Sequence, residues 1–330
     1  MSFCLNNKTI TPPVLLAPLA GITDLPFRTL VSSFGAGLVV SEMIASGEFL
    51  TERPGTREKA ELGAQIENTS VQIAGRAAEP MAEAAKMVAD MGAKVIDINM
   101  GCPAKKVTGG WSGSALMKVP DHALSLIEAV VKAVDVPVTL KTRLGWDDDC
   151  LNAADLAKRA EGAGVRMVVI HGRTRCQFYK GRANWAAIAE VKQAVGVPVV
   201  ANGDIVDSGT ARTALEQSGA DGVMVGRGAQ GAPWVLSEIA AELYGSPKPV
   251  VPEGAALADM VSGHYEAMLD FYGPELGNRV ARKHLGWYMD RVGTGAGLRK
   301  AILSEKSPKT VLSLIPEAVN RPFVPAGAVA

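Results

Sequence analysis

Eight short apolar segments punctuate the chain: Val14–Ala17, Leu38–Ser41, Ser70–Ile73, Val95–Asn99, Val138–Lys141, Met167–His171, Val199–Ala201 and Gly222–Gly226. Most are near-continuous runs rich in β-branched residues rather than strict alternations. That pattern predicts strands buried on both faces, as in a parallel sheet. Helical spacing fills the gaps between them. Pro80–Met91 carries Met81, Ala84, Ala85 and Val88 on one face, and Asp121–Val134 and Asn184–Val195 repeat the pattern. Asp121 and Asn184 read as the N-caps of the last two.

An internal repeat supports strand–helix units. Ala133-Val-Asp-Val-Pro-Val138 returns as Ala194-Val-Gly-Val-Pro-Val199, two units later. The fourth, sixth and eighth segments are preceded instead by a Gly-Ala pair: Gly92-Ala93, Gly162-Ala163 and Gly219-Ala220. Eight strands joined by seven crossovers predict an α/β fold, a (β/α)₈ TIM barrel. A doubly wound open sheet is the alternative, and eight evenly spaced strands suit it less well.

The helix after the eighth segment runs to about Leu243. Tyr244–Pro252 then holds three prolines in nine residues and reads as a linker. Helical patterns follow at Leu257–Phe271, Arg279–Arg291 and Gly297–Ser304. The expected division is a barrel domain over 1–245 and a small helical domain over 246–330, with a frayed tail at Arg321–Ala330.

Composition narrows the function classes. Hydrophobic residues make up 48% of the 330, aromatics only 5%, and the formal net charge is zero, so no overall field points to nucleic acid or membrane. Cys4, Cys102, Cys150 and Cys176 form no Cys-x-x-Cys pair, which argues against a zinc site, an iron–sulfur cluster or a disulfide framework. His122, His264 and His284 add no metal-ligand spacing. No apolar run reaches membrane-spanning length. The first residues, M-S-F-C-L-N-N-K, lack the apolar core of a signal peptide, so a cytoplasmic location is expected.

In a barrel of this kind the chemistry sits at the C-terminal strand ends. Polar residues gather there: Gln72 on the third segment, Asn99 and Cys102 on the fourth, Lys141 and Arg143 on the fifth, His171 and Arg173 on the sixth. Asn202-Gly203-Asp204 follows the seventh and Gly226-Arg227-Gly228 the eighth. Singly, each has an ordinary explanation. A lone Cys is commonly an inert buried hydrophobe, a strand-end His a satisfied polar group, a Lys a solvated one. Sorting to one end of every strand points to a single site. The glycine-rich loops after strands seven and eight mark the usual barrel phosphate site, with Arg227 adding positive charge. Gly226–Gly231 also fits G-x-G-x-x-G, but no further strand with a ribose-binding acid follows, so the dinucleotide reading fails.

Several motifs together resemble one family. They are Ala17–Arg28 (A-P-L-A-G-I-T-D-L-P-F-R), Asp97–Val107 (D-I-N-M-G-C-P-A-K-K-V), Val138–Trp146, His171–Arg175, Asn202–Ile205 and Gly222–Trp234. The chain is similar, over nearly its whole length, to tRNA-dihydrouridine synthases. Arg282–Tyr288 resembles the bacterial subgroup once labelled nitrogen-regulation proteins. One departure is Leu19, where the family usually has Met, of like size and polarity.

The resemblance implies a tightly bound flavin mononucleotide, NADPH as reductant, and reduction of a uridine in the tRNA D-loop, expected at position seventeen. It implies hydride transfer from flavin N5 to C6 of the uracil and a proton at C5. An unperturbed thiol, pKa about 8.5, is mostly protonated at neutral pH and able to supply it. Cys102 is thus the implied acid. By the same resemblance, Asn99, Lys141, His171 and Arg173 would hold the base and the enolate, and Pro18, Leu19, Ala20, Gln72, Lys141, His171, Asn202, Gly203, Asp204, Gly226 and Arg227 would contact the flavin. The target base must leave the RNA stack.

Charge distribution adds to this. Arg279–Lys309 carries eight Lys or Arg against two acids, a local balance of +6 that whole-chain neutrality hides, with Trp287 and Tyr288 among them. A solvated helix face explains such a run as well as tRNA backbone binding does. Two other readings stand beside the first: a barrel flavoenzyme acting on a free small molecule, which needs no basic helices, and a non-enzymatic RNA-binding regulator, which needs no Cys102, Lys141 and His171 together. A monomer is expected.

Overall fold

The computed structural model describes residues 2–51, 56–63 and 68–320. Eight parallel strands follow one another around a barrel: β1 (Val14–Leu16), β2 (Leu38–Val40), β3 (Thr69–Ala74), β4 (Val95–Met100), β5 (Val138–Arg143), β6 (Val168–His171), β7 (Val199–Asn202) and β8 (Gly222–Val225). Val223 and Met224 of β8 pair back with Val14 and Leu15 of β1, which closes the sheet and removes its edges. That pairing rules out the open doubly wound sheet. Beyond the end of β2, Ile44–Ala45 adds a short parallel pairing to β3. Helices cross over outside, among them Leu25–Ser33, Ala78–Asp90, Pro120–Ala133, Ala153–Ala163 and Ser208–Ser218.

The apolar runs conceal a two-faced pattern. On β4, Ile96, Ile98 and Met100 point outward into the core shared with the helices, while Val95, Asp97 and Asn99 point inward. The other strands follow suit. The lower interior is filled by Leu15, Leu38, Val95, Met167, Val169, Val200 and Met224. It is closed from below by an N-terminal hairpin, Phe3–Leu5 and Lys8–Ile10, whose Phe3, Leu5 and Ile10 join that cluster. The hairpin escapes the apolar-run reading because its short strands are buried on one side only, with Cys4 and Thr9 exposed between buried or half-buried neighbours. Its turn places Asn6 in the left-handed region (φ 52°), a conformation Asn tolerates. One layer up, the inward positions turn polar, and there the site begins.

After the linker come four helices, Gly254–Tyr272, Pro274–Val292, Ala296–Ser304 and Pro308–Val319. The fourth is absent from the sequence reading because Pro308 and Pro316 look like breakers. Pro308 sits in the first turn, where a missing N–H costs nothing, behind the Ser307 N-cap. These helices share one apolar cluster with the barrel's outer layer. Asp121 is not an N-cap: it lies in the first turn of Pro120–Ala133 and pairs with Arg159 at 2.6 Å. Asn184 accepts from the Ala187 N–H at 3.1 Å, in the turn ahead of helix Ile188–Ala194. The tail at 321–330 lies outside the described residues. Among the described residues no helix is long and apolar enough to cross a membrane, and no His, Cys, Asp and Glu group could hold a metal.

Candidate active site

A cavity of about 600 Å³ opens at the C-terminal end of the strands. Cys102, Asn99, Lys141, His171, Gln72, Pro18, Leu19, Ala20, Asn202, Gly203, Asp204, Gly226 and Arg227 all line it. The strand period explains this convergence. Gln72, Asn99, Lys141, His171 and Asn202 each occupy the last or nearly last inward position of their strand, and Asn99 stands opposite Lys141 across β4 and β5.

Cys102 leaves the end of β4 on a turn built by Asn99, whose Oδ1 accepts the backbone N–H of Gly101 (3.2 Å) and Cys102 (2.9 Å). Its carbonyl accepts from the Ser114 N–H and hydroxyl at 3.1 and 2.9 Å. Gly113, at φ +58°, lets the chain return against this peptide: a Cβ there would lie 2.8 Å from the Cys102 carbonyl oxygen. The thiol itself is half-buried.

Lys141 donates to Asn202 Oδ1 at 3.0 Å. Burial and the Arg143 guanidinium pull its pKa down to about 8, against the opposing charge of Asp97. His171 is held well below its usual value by burial and by Lys141, Arg143, Arg173 and Arg227 around it, so the ring is neutral. Arg173 Nη1 lies 3.3 Å from His171 Nε2. A guanidinium only donates, so Nε2 accepts and the ring proton sits on Nδ1. A ligand can therefore receive only the Nδ1–H. The ring packs against Gly203, where a Cβ would meet its Cδ2 at 2.8 Å, and φ of +111° further restricts that position to glycine.

Arg173 is the one site residue named from sequence that the structure places elsewhere. It is 1% exposed and does not line the cavity. The chain turns sharply after His171, with the Arg173 N–H on the His171 carbonyl at 2.7 Å. The guanidinium is then spent on the carbonyls of Lys180 (3.0 Å) and Gly181 (2.7 Å) and on Asp204 Oδ2 (2.5 Å). Asp204 also accepts from the Ala183 N–H and faces Arg227 at 3.3 Å. Burial raises its carboxyl, but the bonds from Arg173 and Ala183 outweigh this and hold it below the usual carboxylate range. Arg173 thus shapes the loop after β7.

Arg143 takes the place facing the cavity. It follows Lys141 by two residues, so the strand period itself signals it. It anchors to the carbonyls of Gly101, Thr174 and Phe178 at 2.7 to 2.9 Å. Tyr179 completes that wall, with the guanidinium carbons of Arg143 and Arg227 at 5.5 and 5.6 Å from its ring centre. No pattern in the sequence announces Tyr179 or Met43, which also lines the cavity.

The opposite wall is the loop Ala17–Asp24, secured from outside. Asp24 caps helix Leu25–Ser33 through the Phe27 N–H (3.0 Å) and accepts the Tyr272 hydroxyl (3.1 Å). Phe27 packs on His264 and His284 at 5.8 and 4.8 Å between ring centres.

The donor set suits a heteroaromatic cofactor that carries a phosphate. The volume falls in the range of cofactor sites. Lys141, Asn202 and the Gln72 amide offer donors and acceptors to ring heteroatoms, and Arg227 with the loops at Gly203 and Gly226–Gly228 offers charge and close backbone approach to a phosphate.

The family model for dihydrouridine synthase matches residues 15–322. A probable tRNA-dihydrouridine synthase of Rhodobacter capsulatus is 65% identical over 322 residues, covering 97% of this chain and 98% of that protein. The tRNA-dihydrouridine synthase B of Xanthomonas campestris pv. campestris is 45% identical, covering 93% and 92%. Among solved structures, histamine dehydrogenase from Rhizobium sp. 4-9 superposes with a TM-score of 0.56 at 11% identity, over 80% of this chain and 50% of that one. A morphinone reductase variant in complex with tetrahydroNAD gives 0.51 at 14%, over 72% and 89%. At such identities these two show the fold alone.

Proposed function

Because the chain belongs to the dihydrouridine synthase family, we propose that its cavity reduces the C5=C6 bond of a D-loop uridine in tRNA, with position seventeen the expected target. The observation that carries this reading is the meeting of a half-buried thiol with Lys141, neutral His171 and two glycine-rich loops in one cavity. Gln72, Lys141, Asn202, Arg227 and the loop Pro18–Ala20 would hold a flavin mononucleotide, with NADPH as the reductant. When bound and reduced, that cofactor supplies a hydride to C6 of the uracil.

The chain's own residues handle the charge and the proton. Lys141 as ammonium and the His171 Nδ1–H stabilise negative charge growing on the uracil carbonyl. Arg143 adds positive potential from the same wall. Cys102 donates its Sγ proton to C5 from the face of the base opposite the hydride. Asn99 fixes the Cys102 peptide and offers its amide to the base. Exposed Arg279, Lys283, Lys300 and Lys309 on the C-terminal helices, and Lys306 between the last two, supply phosphate contacts, which favours an RNA substrate over a free small molecule.

The test separates two half-reactions by rapid mixing. In Cys102→Ala, flavin reduction by NADPH stays near wild type, while oxidation of the reduced flavin by tRNA slows roughly 10²–10⁴-fold, the usual worth of a positioned acid. A tRNA step at wild-type speed removes Cys102 from the mechanism, and a protein purified without flavin colour removes the enzyme reading.

A further inference from the structure

Beneath the cavity floor lies a buried acid that the proposed chemistry does not touch. Asp97, 2% exposed, points inward from β4, in register with Gln72 of β3 and Thr139 of β5. Its two oxygens accept from Gln72 Nε2 and Thr139 Oγ1, each at 2.6 Å. A carboxylate only accepts, so the Gln72 amide has one orientation: nitrogen toward Asp97, oxygen away. That oxygen accepts from Asn99 Nδ2 at 2.7 Å. Asn99 is oriented in turn, its Oδ1 left to receive the Gly101 and Cys102 N–H groups.

We propose that Asp97 is a positioning residue for the reaction: with Thr139 it fixes the polarity of an amide relay through Gln72 and Asn99 that holds the Cys102 peptide. Reversing the relay turns the Asn99 NH₂ against two backbone N–H groups, donor against donor, and releases the turn that carries the thiol. Arg143, on the Gly101 carbonyl at 2.7 Å, holds that peptide's other side but cannot replace the lost acceptor.

Thr139 makes the device robust. Burial pushes the Asp97 carboxyl up, so its protonation state is not the fixed point. The hydroxyl of Thr139 can donate or accept. If Asp97 gains a proton, or is replaced by Asn, the new hydrogen goes to Thr139 Oγ1. The other oxygen still receives Gln72, and the polarity survives. It is lost only when position 97 must donate and position 139 cannot accept.

That logic gives a double-mutant cycle. Asp97→Asn keeps the relay through Thr139, and Thr139→Val keeps it while the Asp97 carboxylate is ionised, whereas the double variant has its amide hydrogens facing an apolar side chain at position 139 at any pH unless the whole chain of amides flips. The proposal rests on Cys102 being the proton donor, so one readout needs no tRNA: the alkylation rate of Cys102 by iodoacetamide, resolved from Cys4, Cys150 and Cys176 by peptide mass spectrometry. The other is the tRNA half-reaction. Each single variant is expected within about three-fold of wild type in alkylation; Asp97→Asn also removes a charge that supports the Lys141 ammonium, so the tRNA step is read only as coupling beyond the singles. The double variant, still folded by circular dichroism, is expected to alkylate faster and oxidise its flavin more slowly, each at least about ten-fold beyond the product of the singles. Couplings of that size occur between residues sharing one network. A folded double variant that matches the product of the singles in alkylation overturns the proposal. Coupled alkylation with an uncoupled tRNA step leaves the relay standing and removes Cys102 as donor. If the double variant does not fold, Asn99→Ala cuts the last link at the cavity edge. Cys102 should then alkylate at least about ten-fold faster, and an unchanged rate overturns the proposal.

Discussion

Arg173 offers a direct contest between the sequence motif and the geometry. The motif implies a contact with the uracil, whereas the structure gives the guanidinium to Lys180, Gly181, Asp204 and His171. Arg173→Met keeps most of the stem and removes every donor. Two carbonyls lose charged hydrogen bonds worth about 1.5–3 kcal/mol each. Asp204 loses its closest cation, although its side chain is 28% exposed and keeps the Ala183 N–H, so water recovers part of that loss. The two carbonyls alone come to about 3–6 kcal/mol, overlapping the range for breaking a buried pair. For a chain of this length that lowers the melting temperature by about 4–9 °C. The loop after β7 carries Gly203 and Asp204, so the flavin phosphate should loosen with it. Thermal unfolding, flavin absorbance per protein and KM for tRNA are measured together. The expected result is a lower melting temperature and reduced flavin content, with KM for tRNA unchanged in the fraction that keeps its flavin. Wild-type melting and full flavin with a raised KM would refute the reasoning and return Arg173 to the substrate.

Lys141, held at about 8, should impose a limit on the alkaline side. Its ammonium stabilises developing negative charge, so the tRNA step should fall as pH rises through about 8. Measuring this in Cys102→Ala removes any contribution from the thiol, and a flat profile there excludes the ammonium from the step. Arg227→Glu places a negative charge beside Asp204 at the glycine-rich mouth and should strip the flavin; purification with full flavin content moves the phosphate elsewhere. Arg279 and Lys283 are exposed four residues apart on helix Pro274–Val292, so one face presents both. Reversing both to Glu should raise KM for tRNA and flatten its logarithmic salt dependence by up to about two, while NADPH still reduces the flavin; an unchanged slope places the RNA on another surface.

The barrel was legible because its strands are buried on both faces, which leaves eight apolar runs with little to confuse them. Their boundaries agree with the structure to within a residue or two. The candidate site was legible because polar residues at strand ends are costly unless they are used. What escaped did so for identifiable reasons. Arg173 follows His171 by two, and the strand period would put both side chains in the cavity, but the strand stops at His171 and the period stops with it. Arg143, still on its strand, obeys the period and faces the cavity. Tyr179 arrives on a long loop where no period operates. Asp97 and Asn99 share a face by the same rule. The relay between them nevertheless passes through Gln72 on a neighbouring strand, and only the register of β3 against β4 reveals it.

The C-terminal helices bear on the cavity as well as on the proposed RNA. On helix Pro274–Val292, His284 packs against Phe27, and the adjacent Lys283 reaches the loop Ala17–Asp24, its Nζ 3.2 Å from where a Gly21 Cβ would stand. Tyr272 of the preceding helix bonds to Asp24, which caps the helix that begins where this loop ends. Gly21 is tied to Glu42 at 2.7 Å on the loop's other side. Pro18, Leu19, Ala20 and Ile22 of the same loop form the cavity wall. A phosphate on Lys283 and a base inside the cavity would therefore meet opposite sides of one short, braced segment. On the proposed reading, such bracing would let RNA backbone contacts set where an extruded base arrives, without the helices touching the base at all.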